Sequence, residues 1–337
     1  MSGDIVRKST KALVAAVATL SMLAAGCSSA TGDDTAAAVG GDSVIEHQYG
    51  STEVPPNPQR VVALGLGDID TILALGVTPI TVSPWGSGSI VNEAGVGPWA
   101  EDALGDARPT VIDTGSDGVG SAIVEQVAAA QPDLIIAVNN VVDRNAYEQL
   151  SQIAPTVVRP ADYADWSVPW EVSTQMIGDA IGKGEQATKL IAQTTDLFTQ
   201  ARAQNPEFST RTGAVMLMNA TGGYYVYGPG DGRGQTLASL GFTLPVDVES
   251  LIADGKFYAD ISAENAELLN VDTLVVLDYD DAQAKLAADP LFQALDVVRD
   301  GRVVYVDQPL GSAMSMPNAL SIPFALDQLV PQLAAAK

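Results

Sequence analysis

Two Rossmann-like three-layer α/β lobes joined by a long helical connector are the fold this sequence predicts, on three observations. Between Glu185 and Gln204, residues Ala187, Leu190, Ile191, Thr194, Leu197, Phe198 and Ala201 recur at three- and four-residue steps, the spacing of one apolar helix stripe. Strand–loop–helix patterns lie on both sides of that stripe. A helix-then-strand pair in the first half (Glu125–Ala130, Asp133–Val138) is echoed in the second (Glu264–Leu269, Asp272–Leu277), as an internal duplication would produce. The expected boundaries are residues 44–169 for the first lobe, 170–205 for the connector and 206–337 for the second lobe.

The chain's 337 residues are enough for two lobes of ordinary size, and 47% apolar composition is that of a globular protein. A formal charge of −24 argues against nucleic acid, which needs a surplus of Lys and Arg against phosphate.

The first 26 residues read as an address. Arg7, Lys8 and Lys11 precede the apolar run Ala12–Ala25, and Leu23-Ala24-Ala25-Gly26-Cys27 resembles the lipobox of bacterial lipoproteins, with Ala24 where leucine is more usual. That resemblance implies acylation of Cys27, the sole cysteine, which has no second thiol for a disulfide. Residues 27–43, small and polar without periodicity, read as a flexible tether.

In the first lobe, Arg60–Leu64 reads as a strand, Gly65-Leu66-Gly67 as a loop, Asp68–Leu75 as a helix ended by Gly76, and Pro79–Ser83 as the next strand. The Gly-x-Gly loop lacks the third glycine and the ribose-binding acid of a dinucleotide site. Pro109–Asp113, Asp133–Val138 and Pro155–Val158 complete the strands, with helices from Ser121 to Ala130 and from Asp143 to Ala154. The uninterrupted apolar strands predict a sheet covered on both faces. In the second lobe, strands Gly213–Met218 and Tyr224–Tyr227 flank the turn cluster Asn219–Gly223. Gly228–Gly234 then opens a helix, and Arg302–Val306 forms a last strand.

Gln131-Pro132-Asp133-Leu134-Ile135-Ile136-Ala137, Tyr147-Glu148-Gln149-Leu150 and Ile153-Ala154-Pro155-Thr156-Val157 together resemble the substrate-binding proteins of bacterial ABC importers for iron–siderophores, haem and cobalamin. Asp162–Trp166 with Trp170, Ile177–Gly182 and Pro317–Leu326 extend the likeness over nearly all of Val44–Leu333, closest to the siderophore branch. The resemblance implies the class III periplasmic-binding-protein fold and capture of a ferric siderophore between the lobes. It further implies delivery to an ABC permease with its ATPase, a lipid-anchored monomer at the outer face of the cytoplasmic membrane or in the periplasm, and no cofactor beyond iron inside the chelate. In this family an acid on each lobe meets the permease. Asp70 falls at the first-lobe position, Ala238 replaces the second, and Asp247 or Glu249 are the substitutes.

No catalytic constellation emerges. His47, the sole histidine, lies in the first folded residues, no Gly-x-Ser-x-Gly elbow exists, and one histidine with one cysteine leaves no nitrogen and sulfur ligand set for a transition metal. A binding cleft remains. Trp85 follows a strand end and either lines that cleft or packs the core. Trp99, Trp166 and Trp170 are further candidates, Trp170 with the alternative of packing the connector helix. Tyr225 and Tyr227 alternate onto one face of their strand and Tyr224 onto the other, where they could sandwich a chelate or simply pack the sheet. Arg233 offers a guanidinium fork to chelate oxygens. The competing readings are haem held by Tyr225, a cell-envelope interaction protein, and a hydrolase.

Overall fold

The computed structural model describes residues 43–86, 90–114, 118–253 and 256–336. The expected signal peptide, Cys27 and all but the last residue of the expected tether lie outside the described residues.

An antiparallel hairpin comes first, β1 (Ser43–His47) with β2 (Gly50–Val54). It buries Ile45 and Val54 in the first lobe's core. His47 is tied down there. Its Nε2 shares a 2.9 Å hydrogen bond with Thr52 Oγ1, whose hydroxyl donates to the Thr156 carbonyl. The first lobe follows: β3 (Val61–Ala63), α1 (Asp68–Ala74), β4 (Thr81–Val82), α2 (Glu101–Leu104), β5 (Thr110–Val111), α3 (Ser121–Ala130), β6 (Leu134–Ala137), α4 (Arg144–Ser151) and β7 (Thr156–Val158). Its five strands run parallel in the order β5-β4-β3-β6-β7.

Strand alternation divides this lobe's core in two. Val61, Ala63, Leu134 and Ile136 face one apolar cluster, while Val62, Leu64, Ile135 and Ala137 face another. A sheet buried on both faces is therefore the middle of three layers. Gly120 sits at the N-cap of α3 without a side-chain cap, whereas Asp143 caps α4 by accepting from the Ala146 amide at 2.7 Å.

The connector is a pair of helices, α5 (Trp170–Ala180) and the longer α6 (Gly184–Gln204), folded back on each other across Ile181–Lys183. Gln175 fastens the pair, donating to the Gly184 carbonyl and accepting from the Thr188 hydroxyl. At about 1.5 Å per residue, α6 spans roughly 30 Å. Ala187 and Leu190 near its start pack into the first lobe's core, and Ile191, Leu197, Phe198 and Ala201 farther along pack into the second lobe's core. Phe198, the one large apolar side chain of this set that is buried, contributes about 1.5–3 kcal/mol, and the half-buried Leu190, Ile191 and Leu197 contribute less. Trp170 makes the reverse crossing at the head of α5, since its ring sits in the second lobe's core while Met176 and Ile177 sit in the first.

The second lobe comprises β8 (Gly213–Met218), β9 (Tyr224–Tyr227), α7 (Gly232–Leu240), α8 (Val246–Glu249), β10 (Tyr258–Ile261), β11 (Thr273–Leu277), α9 (Ala282–Ala287), α10 (Pro290–Gln293), α11 (Asp296–Arg299), β12 (Val303–Val306), α12 (Gln308–Ser315) and α13 (Ser321–Ala335). Ala263–Leu269, expected as an α-helix over 264–269, is a 3-10 helix with non-helical torsions at Asn265. The strand order is β10-β9-β8-β11-β12, with β9 antiparallel to both neighbours. Again both faces are buried: Val215, Val275 and Leu277 on the connector side, Ala214, Met216, Leu274 and Val276 on the other.

Candidate ligand-binding cleft

A cavity of about 440 Å³ opens between the lobes. The first lobe walls it with Leu66, Trp85, Ile90 and Asp113, reached from the loops that follow β3, β4 and β5. These are carboxyl ends of parallel strands, where ligand sites of open α/β sheets lie. Trp166 closes one side from the loop before α5. Its φ of 66° is left-handed, an unfavourable conformation for a tryptophan, and such departures gather at ligand clamps. That loop is braced by a 2.6 Å ion pair between Arg159 and Asp165 and by Arg159 donating to the Tyr163 carbonyl.

The second lobe contributes Asp231 and Arg233 from the start of α7, Phe257 ahead of β10, Tyr279 after β11, Ser312 and Ser315 from α12, and Met316. Asp231 is the N-cap of α7. Its Oδ1 accepts from the Arg233 amide at 2.9 Å, and the two carboxylate oxygens accept from Arg233 Nε and Nη2 at 2.7 and 2.8 Å. The guanidinium lies 3.5 Å from the centre of the Tyr227 ring. Burial works against the Arg233 charge, but the hydrogen bonds and charge of Asp231 outweigh it and hold the guanidinium above its ordinary pKa. Nη1 has no acceptor among the described residues, so a donor is left for cargo. Burial also raises the Tyr279 phenol, keeping it a neutral donor, and its oxygen sits so close to α12 that a Cβ on Gly311 would lie 2.4 Å away.

Of the residues expected at the site, Trp85, Trp166 and Arg233 come together on the cleft wall. The tyrosines of β9 do not. Tyr224 is fully buried on the far side of the sheet, with its hydroxyl donating to Asp289 at 3.3 Å. Tyr225 packs on Tyr258 with the rings tilted and 4.6 Å between centroids, and is paired with Asp260 in the ladder, away from the cavity lining. Tyr227 supports Arg233 from behind, its phenol pushed up to about 12 by burial. Haem ligation through Tyr225 has no geometric footing. Asp231, Phe257, Tyr279 and Met316 escaped the sequence reading. For Tyr279 a signal existed, because it follows an apolar strand end just as Trp85 does.

Asp70 requires a correction. Its carboxylate is 4% exposed and accepts at Oδ2 from Trp99 Nε1 at 2.7 Å and from Asn318 Nδ2 at 3.0 Å. It ties α1 to the turn between α12 and α13 across the seam of the lobes, so it offers no accessible charge for a permease in this conformation. Burial raises its pKa to about 6. Trp99 completes the seam by packing on both lobes' cores and on Phe324. In the second lobe, Asp247 and Glu249 are exposed, as is Ala238.

The Gly-x-Gly loop has an internal occupant. Asp68 folds into it, accepting from the Val138 and Asn139 amides and from Asn139 Nδ2, and a Cβ on Gly65 would lie 1.8 Å from Asp68 Oδ2. The space beside Gly65 is taken by the protein's own carboxylate. Among the described residues, no three His, Cys, Asp or Glu side chains are grouped to hold a metal ion, and no helix is long and apolar enough to cross a membrane.

A family model for periplasmic binding proteins matches residues 61–310. The fold is similar to that of a periplasmic solute binding protein from Mycobacterium smegmatis, with 33% identity and a TM-score of 0.78 over 88% of this chain and 99% of that one. It is also similar to the iron-uptake protein PiaA of Streptococcus pneumoniae in complex with ferrichrome, at 25% identity and a TM-score of 0.74 over 87% and 98%. In sequence, the probable siderophore-binding lipoprotein YfiY of Bacillus subtilis is 26% identical over 275 residues, 78% of this chain and 79% of that protein.

Proposed function

This chain belongs to the periplasmic binding protein family, and from that premise we propose that it is the substrate-binding component of an ABC importer, capturing a ferric siderophore between its lobes and handing it to a membrane permease. The observation that carries the reading is the 440 Å³ interlobe cavity, walled by tryptophans on one side and by Arg233 with an uncommitted Nη1 on the other. Aromatic faces suit the organic scaffold of a chelate, and N–H donors suit its oxygens. The ferrichrome in PiaA and the name of YfiY point the same way.

Iron enters already ligated by its chelator, so the protein needs neither a metal site nor a cofactor. No reaction is catalysed, and the chain's one histidine, His47, is tied into the β1–β2 hairpin. Acylated Cys27 holds the protein to the outer face of the membrane.

Titration with ferric chelates, followed by quenching of Trp85 and Trp166, tests the proposal. Micromolar or tighter binding of one chelate class is expected, weakened at least tenfold, about 1.4 kcal/mol, by Arg233→Ala. Failure of every ferric chelate to bind would sink it.

A further inference from the structure

We propose that Asp231 makes the cleft a charge filter: by committing Arg233 to its own carboxylate, the protein admits ferric chelates of zero or positive net charge and turns away polyanionic ones. The inference rests on the siderophore reading above and adds the sign of the cargo.

Arg233 is the only cation among the described residues that line the cavity, against the two carboxylates Asp113 and Asp231. The short segments 87–89, 115–117 and 254–255 contain no lysine or arginine either. The Arg233 charge is spoken for. Its side chain is 11% exposed and that of Asp231 8%, and the pair is bidentate. Two further contacts fix it in place. Asp231 is held by capping α7, and the guanidinium is held by the Tyr227 face. Drawing Arg233 toward an anion would strand a buried carboxylate that also caps a helix, which is the unfavourable outcome for any buried ion pair. What Arg233 leaves for cargo is the N–H pair on Nη1 and the second N–H of Nη2, suited to a neutral or weakly polar oxygen.

The rest of the wall reinforces this. Leu66, Ile90, Phe257 and Met316 offer no polar group, and Trp85, Trp166, Tyr279, Ser312 and Ser315 offer neutral donors only, so an anion entering there would lose water without gaining a counter-ion. At longer range the formal charge of −24 slows the approach of anions and favours that of cations.

The test uses three probes of similar bulk: the cationic ferric trishydroxamate ferrioxamine B, the neutral ferric trishydroxamate ferrichrome, and the trianionic ferric tris-catecholate of enterobactin. Affinities are read by tryptophan quenching and calorimetry on the wild-type protein and on Asp231→Asn. Asparagine keeps an oxygen for the α7 cap while withdrawing the charge, so the fold is expected to survive. Wild-type protein should bind the better hydroxamate at least 100-fold more tightly than the trianion, and Asp231→Asn should narrow that ratio at least tenfold. A wild-type preference for the trianion, or an unchanged ratio in the variant, overturns the filter while leaving the siderophore reading intact. Binding of none of the three, nor of any other ferric chelate, removes both. Should the variant fail to fold, the wild-type ratio across the three charges decides alone.

Discussion

The two lobes place their strands in the same spatial order, third-second-first-fourth-fifth, yet differ in one direction. In the first lobe all five run parallel, whereas in the second β9 is reversed. The cause is local. Asn219–Gly223 is too short for the crossover a parallel neighbour requires, so β8 and β9 form a hairpin, while α1 fills the equivalent connection between β3 and β4. The consequence reaches the cleft. The regular lobe presents an apolar wall built from carboxyl-end loops, and the lobe with the reversed strand presents the Asp231–Arg233 pair from the segment after β9. The first helices differ in the same sense. Asp68 at the start of α1 turns inward to backbone amides of its own lobe, and Asp231 at the start of α7 takes a guanidinium at the cleft.

This contrast can be pressed experimentally. The largest effect is expected from Asp68→Ala, which strips the acceptor from three buried or half-buried N–H groups. Urea unfolding at neutral pH should show a loss of about 3 kcal/mol or more, and a loss below about 1 kcal/mol would mean that the inward-turned carboxylate is not what orders the loop.

Asp70→Asn comes next and depends on pH. Burial raises the Asp70 carboxyl from 3.8 to about 6, so the folded state prefers it protonated. Its stabilising contribution is fully present below about 3.8 and fades as pH rises through about 6, by at most on the order of 3 kcal/mol. Melting temperatures from pH 4 to 7 should therefore fall more steeply for wild type than for the variant. Asp68, raised to about 7 by burial, adds the same trend to both proteins, and His47, lowered by burial, adds the opposite one. Parallel curves would show that the seam carboxylate does not titrate in this range.

The smallest effect belongs to Tyr225→Phe. With its ring on Tyr258 and away from the cavity, chelate affinity should change by less than about twofold. A tenfold loss would return that face of β9 to the site.

Much of the architecture was legible because it is written in periodicity. The apolar residues of the stripe expected on the connector are the α6 residues packed into the two cores, with Thr194 buried among them, and the strands expected over 213–218 and 224–227 have those bounds. Alternation along β9 also separates Tyr224 from Tyr227. What alternation cannot reveal is which face meets a cavity and which meets a helix layer, so all three tyrosines looked alike as ligand candidates. Asp70 was opaque for a related reason. An acid in the first turn of a helix reads as solvated, and it is the approach of Trp99 and Asn318, 29 and 248 positions along the chain, that covers it. Asp231 lay in plain view two residues from Arg233, but a capping aspartate and a partner for a guanidinium carry the same letter.

Because α6 belongs to two hydrophobic cores at once, neither lobe has a complete interior without it. Heating in a calorimeter should then give one endotherm instead of two, and protease nicking within 184–204 should release no surviving half. A strut that merely bridged finished modules would let each melt on its own schedule; one shared as interior makes them a single cooperative object.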